Sequence, residues 1–342
     1  LSQFKFFHDD WLDCSSIFSD IVSREVNHLP VNLDIDFFNT LSFLEEDIRR
    51  YRIKAAEHTA NSIGSKIALS FSGGVDSQCM VQCFVEADIK FDLFILKFKN
   101  NLNSQDVDHA VMYCSKNNIP YNIIEIDVLN FLSISNYEYA KKYKSPSPHF
   151  NVHYKLFDLI RQKGYDGVVA GGNTPLYTTY LNSWGMNYTR NSQNYINYSN
   201  ISGFKCQGNF LSCNPKLTWA ISLLTPPVTG YVPSSVVSYT ERKYWEDLRY
   251  LQKNRGYRRA GFNIIPQKQK FTGFELVKNH LEKKTGDGWT FEKLYRFPIE
   301  KMLSVMPLGD PRLKFKDQLI EDKVGSLYRD NFMPGLGSSS GI

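Results

Sequence analysis

The residues of this chain best placed by type and spacing to do chemistry are Ser72-Gly73-Gly74-Val75-Asp76-Ser77, two glycines flanked by hydroxyls and followed by a carboxylate. Glycines let a backbone come close to a ligand, and amides freed at the start of a helix attract an anion. Such a turn suits phosphate. The hydroxyls of Ser72 and Ser77 add donors for phosphate oxygens, whereas Asp76 beside an anion needs a cation, a ribose or a neighbour to orient. Magnesium carried on a polyphosphate is such a cation. The Lys that follows the glycines in the G-x-x-x-x-G-K-[ST] loop is missing, and so is the G-x-G-x-x-G spacing of a dinucleotide turn.

A second constellation lies far downstream. Between Leu248 and Phe274 there is no acidic residue, while Arg249, Lys253, Arg255, Arg258, Arg259, Lys268 and Lys270 accumulate. The run reads either as a grip on phosphates, with Arg258, Arg259, Lys268 and Lys270 as substrate contacts, or as a solvated basic face. His149 and His153 stand four apart on an expected helix with no third ligand nearby, and read as helix-surface histidines rather than a metal pair. Cys206 and Cys213 lack C-x-x-C spacing and read as ordinary cysteines, with a sulfur-relay pair as the alternative. Cys79 and Cys83 follow the glycine turn on a helix and read as packing residues.

The elements that must position the turn are legible from apolar periodicity. Leu41, Leu44, Ile48, Tyr51 and Ala55 recur at helical spacing up to about Ser62, and Lys66 to Phe71 is a short apolar run that stops at Ser72. That is a helix, then a buried strand entering the turn. Asp76 to Ala87 follows as a helix, Phe91 to Phe98 as a strand, Ser104 to Lys116 as a helix and Tyr121 to Val128 as a strand. Helical sequence at Tyr137 to Tyr143 and His149 to Lys163 leads to a fourth strand, Tyr165 to Ala170, ending at Gly171-Gly172-Asn173. Alternation of this kind predicts an α/β fold, a parallel sheet with helices on both faces. Ligands then sit at the carboxyl ends of the strands. The loops that matter are Ser72 to Ser77, Lys97 to Ser104 and Gly171 to Tyr177.

The glycine turn, in its strand–turn–helix setting, resembles the SGGxDS signature of the PP-loop ATP pyrophosphatases, the adenine nucleotide alpha hydrolase-like superfamily. That group includes GMP, NAD and asparagine synthetases and several tRNA-modifying enzymes. The resemblance covers about Ser62 to Tyr177. It implies that Ser72, Gly73, Gly74, Val75, Asp76 and Ser77 hold the pyrophosphate part of ATP, with Asp76 and Ser77 as catalytic residues and Asp76 as the Mg²⁺ ligand. It also implies that the backbone near Lys97 and Phe98 meets the adenine, and that Gly171, Gly172 and Asn173 border the ribose and α-phosphate. Such enzymes often place an acidic residue shortly after this last turn, where this chain has Asn173-Thr174-Pro175-Leu176. The segment from Gly261 to Glu275 resembles the C-terminal part of phage-encoded, phosphoadenylylsulfate-reductase-like members. The last cysteine is Cys213, which argues against reductase activity.

Organisation and bulk composition fit this reading. The expected division is an N-terminal cap at 1–40, the ATP-binding unit at 41–177, a mixed, mainly helical substrate or accessory region at 178–333, and a flexible tail at 334–342. Helical stretches are expected near Glu241 to Lys253 and Phe274 to Lys284. Tyr and Asn crowd Tyr177 to Asn200, a candidate substrate loop; the glycosylation patterns at Asn187, Asn197 and Asn200 read as chance. With 42% hydrophobic and 22% charged residues in 342, the chain is of globular composition, and its charge of +5 suits a nucleotide as well as a nucleic acid. Six cysteines are too few for a disulfide framework. With neither an apolar run of about 18 to 20 residues nor a signal-like start, the expected compartment is cytoplasmic, with no membrane partner.

The function expected is ATP-dependent adenylation with ATP and Mg²⁺: cleavage to AMP and pyrophosphate activates an acceptor oxygen on a small molecule or a nucleic acid. An ammonia- or sulfur-donating partner and an oligomer are compatible with it. The rival readings are a PP-loop protein that binds nucleotide without catalysis and a nucleic-acid-modifying enzyme, the latter supported by the basic run alone.

Overall fold

The computed structural model describes residues 29–30, 45–143, 145, 148–172, 176–178, 184–186, 195, 198–211, 214, 217–218, 220–221, 250–251, 253–267, 274 and 276–277. Helix α1, Glu45–Ile63, leads to strand β1, Ile67–Ser70. Helix α2, Val75–Glu86, strand β2, Asp92–Phe98, helix α3, Ser104–Lys116, and strand β3, Asn122–Ile126, follow. After a short helical passage come α4, Asn136–Tyr143, α5, Pro148–Gln162, and β4, Gly167–Ala170. Each lies within a few residues of its expected position. The expected start of α1 at Leu41 and the 1–40 cap, apart from 29–30, lie outside the described residues.

Five strands form one sheet in the order β3-β2-β1-β4-β5, where β5 is Lys205–Gln207. Every pairing is parallel, from Phe98↔Ile126 at one edge to Gly167↔Lys205 at the other. The chain moves outward from β1 to β3 and then crosses back to lay β4 on the other side of β1. A right-handed crossover places helices on opposite faces for these two directions of travel. The side chains show that split. Leu69 and Ile95 pack with Ala56, Cys79, Phe84 and Tyr113 on the face of α1, α2 and α3. Val168 and Phe94 pack with Tyr143, Leu156 and Phe157 on the face of α4 and α5.

The alternation expected to stop near Thr178 thus returns once, in β5. Three residues, Lys-Cys-Gln, carry no periodic signal, and their place is set by pairing with β4 rather than by their own sequence. A separate small antiparallel ribbon joins Leu29–Pro30, Trp184–Met186 and Leu176–Thr178. Among the described residues no helix is long and apolar enough to cross a membrane.

Candidate functional site

The order of strands has one reversal, between β1 and β4, and a doubly wound sheet opens its ligand crevice at that point. The SGGVDS turn leaves β1 there and Gly171-Gly172 leaves β4 beside it. Gly73 has φ +74°, a left-handed backbone, and a side chain on it would meet the Ala110 backbone of α3 at 2.9 Å. Gly171 is needed for closeness instead: a Cβ there would lie 2.8 Å from the Ser77 amide nitrogen. The two glycine turns are therefore in van der Waals contact across the switch point.

Helix α2 begins at Gly74, whose extended backbone (φ −67°, ψ 155°) caps it without a side-chain hydrogen bond. Its first ladder bond is from Gln78 N to Gly74 O, so the first-turn amides of Val75, Asp76 and Ser77 precede the ladder. Val75 is buried and Ser72 exposed. Ser77 is buried, and its hydroxyl donates to the Gly74 carbonyl at 2.8 Å, with Ser72 Oγ 3.3 Å away. Two hydroxyls thus meet at the mouth of the turn, one tied to its own loop.

Asp76 is engaged by the distant basic run. Lys253 donates to Oδ2 at 2.5 Å and the Tyr257 hydroxyl donates to Oδ1. The two donors are four residues apart on the helical stretch 253–259, hence on one face. Side-chain exposures of 19% for Lys253 and 16% for Asp76 mean that solvent screens this pair only in part. Arg255, Arg258 and Arg259 are exposed on the same stretch. Asn173, Lys268 and Lys270 lie outside the described residues.

The segment after this helix is fastened to α2. Gln78 Nε2 donates to Gly73 O at 2.7 Å and to Ile265 O at 2.8 Å, while its Oε1 accepts from Ile265 N at 2.7 Å. One turn on, Gln82 Oε1 accepts from Asn263 N and its Nε2 donates to Asn263 O. Two amides at i and i+4 thus grip residues two apart in an extended backbone. Arg52 adds a bond to Ala260 O at 3.0 Å and lies over the Phe262 ring.

The other expected contacts fare differently. Lys97 forms an ion pair with Glu125, its register partner on β3, at 3.0 Å. The Phe98 amide is already given to Asn103 Oδ1 at 2.7 Å, and its ring packs on Phe274. His153 is half-buried rather than on the open helix surface: it packs against Phe150, Phe157 and Tyr195, and burial holds its imidazole down at about 4. His149 lies against Phe274. Among the described residues no three His, Cys, Asp or Glu side chains group around a metal position. Burial, and then the Asp76 charge, pushes the Cys79 thiol well up; burial does the same to Cys83 and raises Cys114 to about 11. These are packing cysteines, as is buried Cys206, and Cys213 lies outside the described residues.

Sequence reading passed over Lys253, Tyr257 and Gln78 as site residues. The signal was the i, i+4 pair of Lys253 and Tyr257, but the expected helix ended at Lys253, and Gly256 inside the stretch weakens a helical reading.

No family model and no curated protein matches this sequence. Among solved structures the chain is similar to the U34-tRNA thiolase NcsA from Methanococcus maripaludis, at 14% identity and TM-score 0.33 over 69% of this chain and 89% of that one. It is similar also to NMN synthetase from Francisella tularensis, at 14% and 0.31 over 67% and 100% of the two chains. An NH3-dependent NAD synthetase from Campylobacter jejuni gives 16% and 0.31 over the same shares. Scores this low leave the fold to rest on the chain's own sheet. That sheet is all-parallel, flanked by helices on both faces and carries SGGVDS at its switch point, the α/β architecture expected from the sequence.

Proposed function

We propose that the chain binds ATP at Ser72 to Ser77 and splits it between the α and β phosphates to adenylate an acceptor. One observation carries this reading: the SGGVDS turn stands at the switch point of the sheet, with Gly171 closed onto the Ser77 amide. The first-turn amides of α2 and the Ser72 hydroxyl are the donors for the pyrophosphate part. Asp76 is one carboxylate, too little for an all-protein metal cage but sufficient for Mg²⁺ that takes its remaining ligands from phosphate and water. When bound, that ion neutralises charge on the phosphates; the protein's own part is to position and stabilise.

In the reaction so proposed, an acceptor oxygen attacks the α-phosphorus and pyrophosphate departs. A second nucleophile then displaces AMP from the adenylate. Positioning and charge stabilisation carry the first step, so no dedicated base is required. The acceptor is a small molecule or a nucleic-acid nucleotide. Titration calorimetry with ATP and Mg²⁺ tests the site. Ser72→Ala and Asp76→Asn should each weaken binding, and Ser72→Ala should raise the barrier to turnover by about 2.7 to 4 kcal/mol through loss of a phosphate donor. Affinity untouched by both substitutions would remove the site from this loop.

A further inference from the structure

The loop has no cation of its own, yet a lysine from 177 residues downstream is docked on it. We propose that Lys253 is a phosphate-binding residue of this site, held on Asp76 until a polyphosphate takes it over. This rests on the reading of Ser72 to Ser77 as a phosphate loop and assigns that loop its missing charge.

Three features support the assignment. Asp76 belongs to the first turn of α2, so an ammonium 2.5 Å from its Oδ2 stands beside the turn whose amides would face the anion. A lysine stem lets the head group swing from carboxylate to phosphate, acting as a compact point charge. Tyr257 donates to the other carboxylate oxygen, so Asp76 keeps a partner when the lysine leaves. The backbone behind Lys253 does not have to move, because Gln78, Gln82 and Arg52 fasten 260–265 to α1 and α2. Asp76 itself repels a metal-free polyphosphate, and the ion pair cancels that charge in the resting protein.

The test is titration of the full chain with inorganic pyrophosphate in the absence of divalent metal. K253M should weaken binding roughly ten- to a hundredfold, the loss of one hydrogen bond to a charged group. K253R should stay within about threefold, because a cation remains. D76N should strengthen binding severalfold, since it releases Lys253 and removes a repelling charge. The double variant D76N/K253M should bind more weakly than D76N but more tightly than K253M, because the cation and the repelling charge are both gone. A merely structural ion pair would give weakening of similar size in D76N and K253M, and that result overturns the proposal, as does wild-type affinity in K253M. If K253M does not fold, K253Q takes its place: weakening of at least about tenfold upholds the proposal and wild-type affinity overturns it. Failure of the wild-type chain to bind either pyrophosphate or Mg²⁺–ATP is a different result, which sinks the phosphate-loop reading and Lys253 with it.

Discussion

On the face of the sheet that carries α4 and α5, tyrosines and phenylalanines pack ring on ring. Tyr154 stacks on Tyr198 at 4.8 Å, Tyr143 closes on both, and Asp158 accepts from the Tyr139 and Tyr198 hydroxyls. The opposite face is finished by the segment 253–265, whose contacts with Asp76, Gln78, Gln82 and Arg52 are largely hydrogen bonds from side chains to backbone and charge. Buried aromatic area is indifferent to an arriving phosphate. Bonds made to Asp76 can instead be exchanged for bonds to a ligand or its cation. The aromatic face is thus built as support, and the hydrogen-bonded contacts at Asp76 on the other face as the place where binding is felt.

The largest effect should come from the glycine turn that follows β4. Gly172 has φ +79°, and a Cβ on it would fall 2.3 Å from the Asn209 Cα. Gly172→Ala should therefore cost about 3 to 5 kcal/mol, combining left-handed strain with a backbone clash, as read by urea unfolding. An unchanged midpoint would mean that Gly172 does not lie against Asn209 as described.

Next comes the amide clamp. Gln78→Ala leaves the Ile265 N–H without its partner, while the Ile265 carbonyl keeps His109 Nε2 at 2.9 Å, and should cost about 2 kcal/mol, whereas the more exposed Gln82→Ala should cost about 1 kcal/mol. Hydrogen exchange at the Ile265 amide gives the sharper readout, since its protection should collapse in the first variant and persist in the second. Equal effects would break the distinction between a buried clamp and an exposed one.

Acid probes the aromatic face. His153 has its imidazole lowered from 6.5 to about 4 by burial, so the folded chain resists a proton that the unfolded chain accepts. Its contribution is complete above pH 6.5 and is lost as the pH falls towards 4, for a total of about 2 kcal/mol after discounting for partial exposure. His153→Phe should flatten that slope in a series of melting curves at different pH. A slope that survives the substitution would assign the acid sensitivity to other groups.

The smallest effect concerns sulfur. Cys206→Ala removes a buried thiol from β5 and should cost about 1 kcal/mol without changing turnover. Loss of product formation in a folded Cys206→Ser, Cys213→Ser double variant would instead make the pair a sulfur relay.

The parts legible in the sequence are those with local physical causes. β1 and β4 are buried on both faces, so each reads as a short apolar run stopped by glycine, and the turn between β1 and α2 declares itself by composition. β5 is not legible, because Lys205-Cys206-Gln207 becomes a strand only through its neighbour. The Lys253–Asp76 pair spans 177 residues and leaves no periodic trace. The absence of acids from Leu248 to Phe274 was visible; that one of these cations finds its anion in the glycine turn was not. Repulsion within the run is relieved by a partner elsewhere in the chain, which composition alone does not locate.

The cleavage position is the central claim and can be read directly. The full chain is incubated with α-labelled ATP, Mg²⁺ and pools of small molecules, tRNA or DNA, and the labelled nucleotides are separated by chromatography. A glycine turn that holds the pyrophosphate part of ATP as its leaving group should give labelled AMP, dependent on one of the pools and reduced in Asp76→Asn. Labelled ADP as the only nucleotide product would contradict the account.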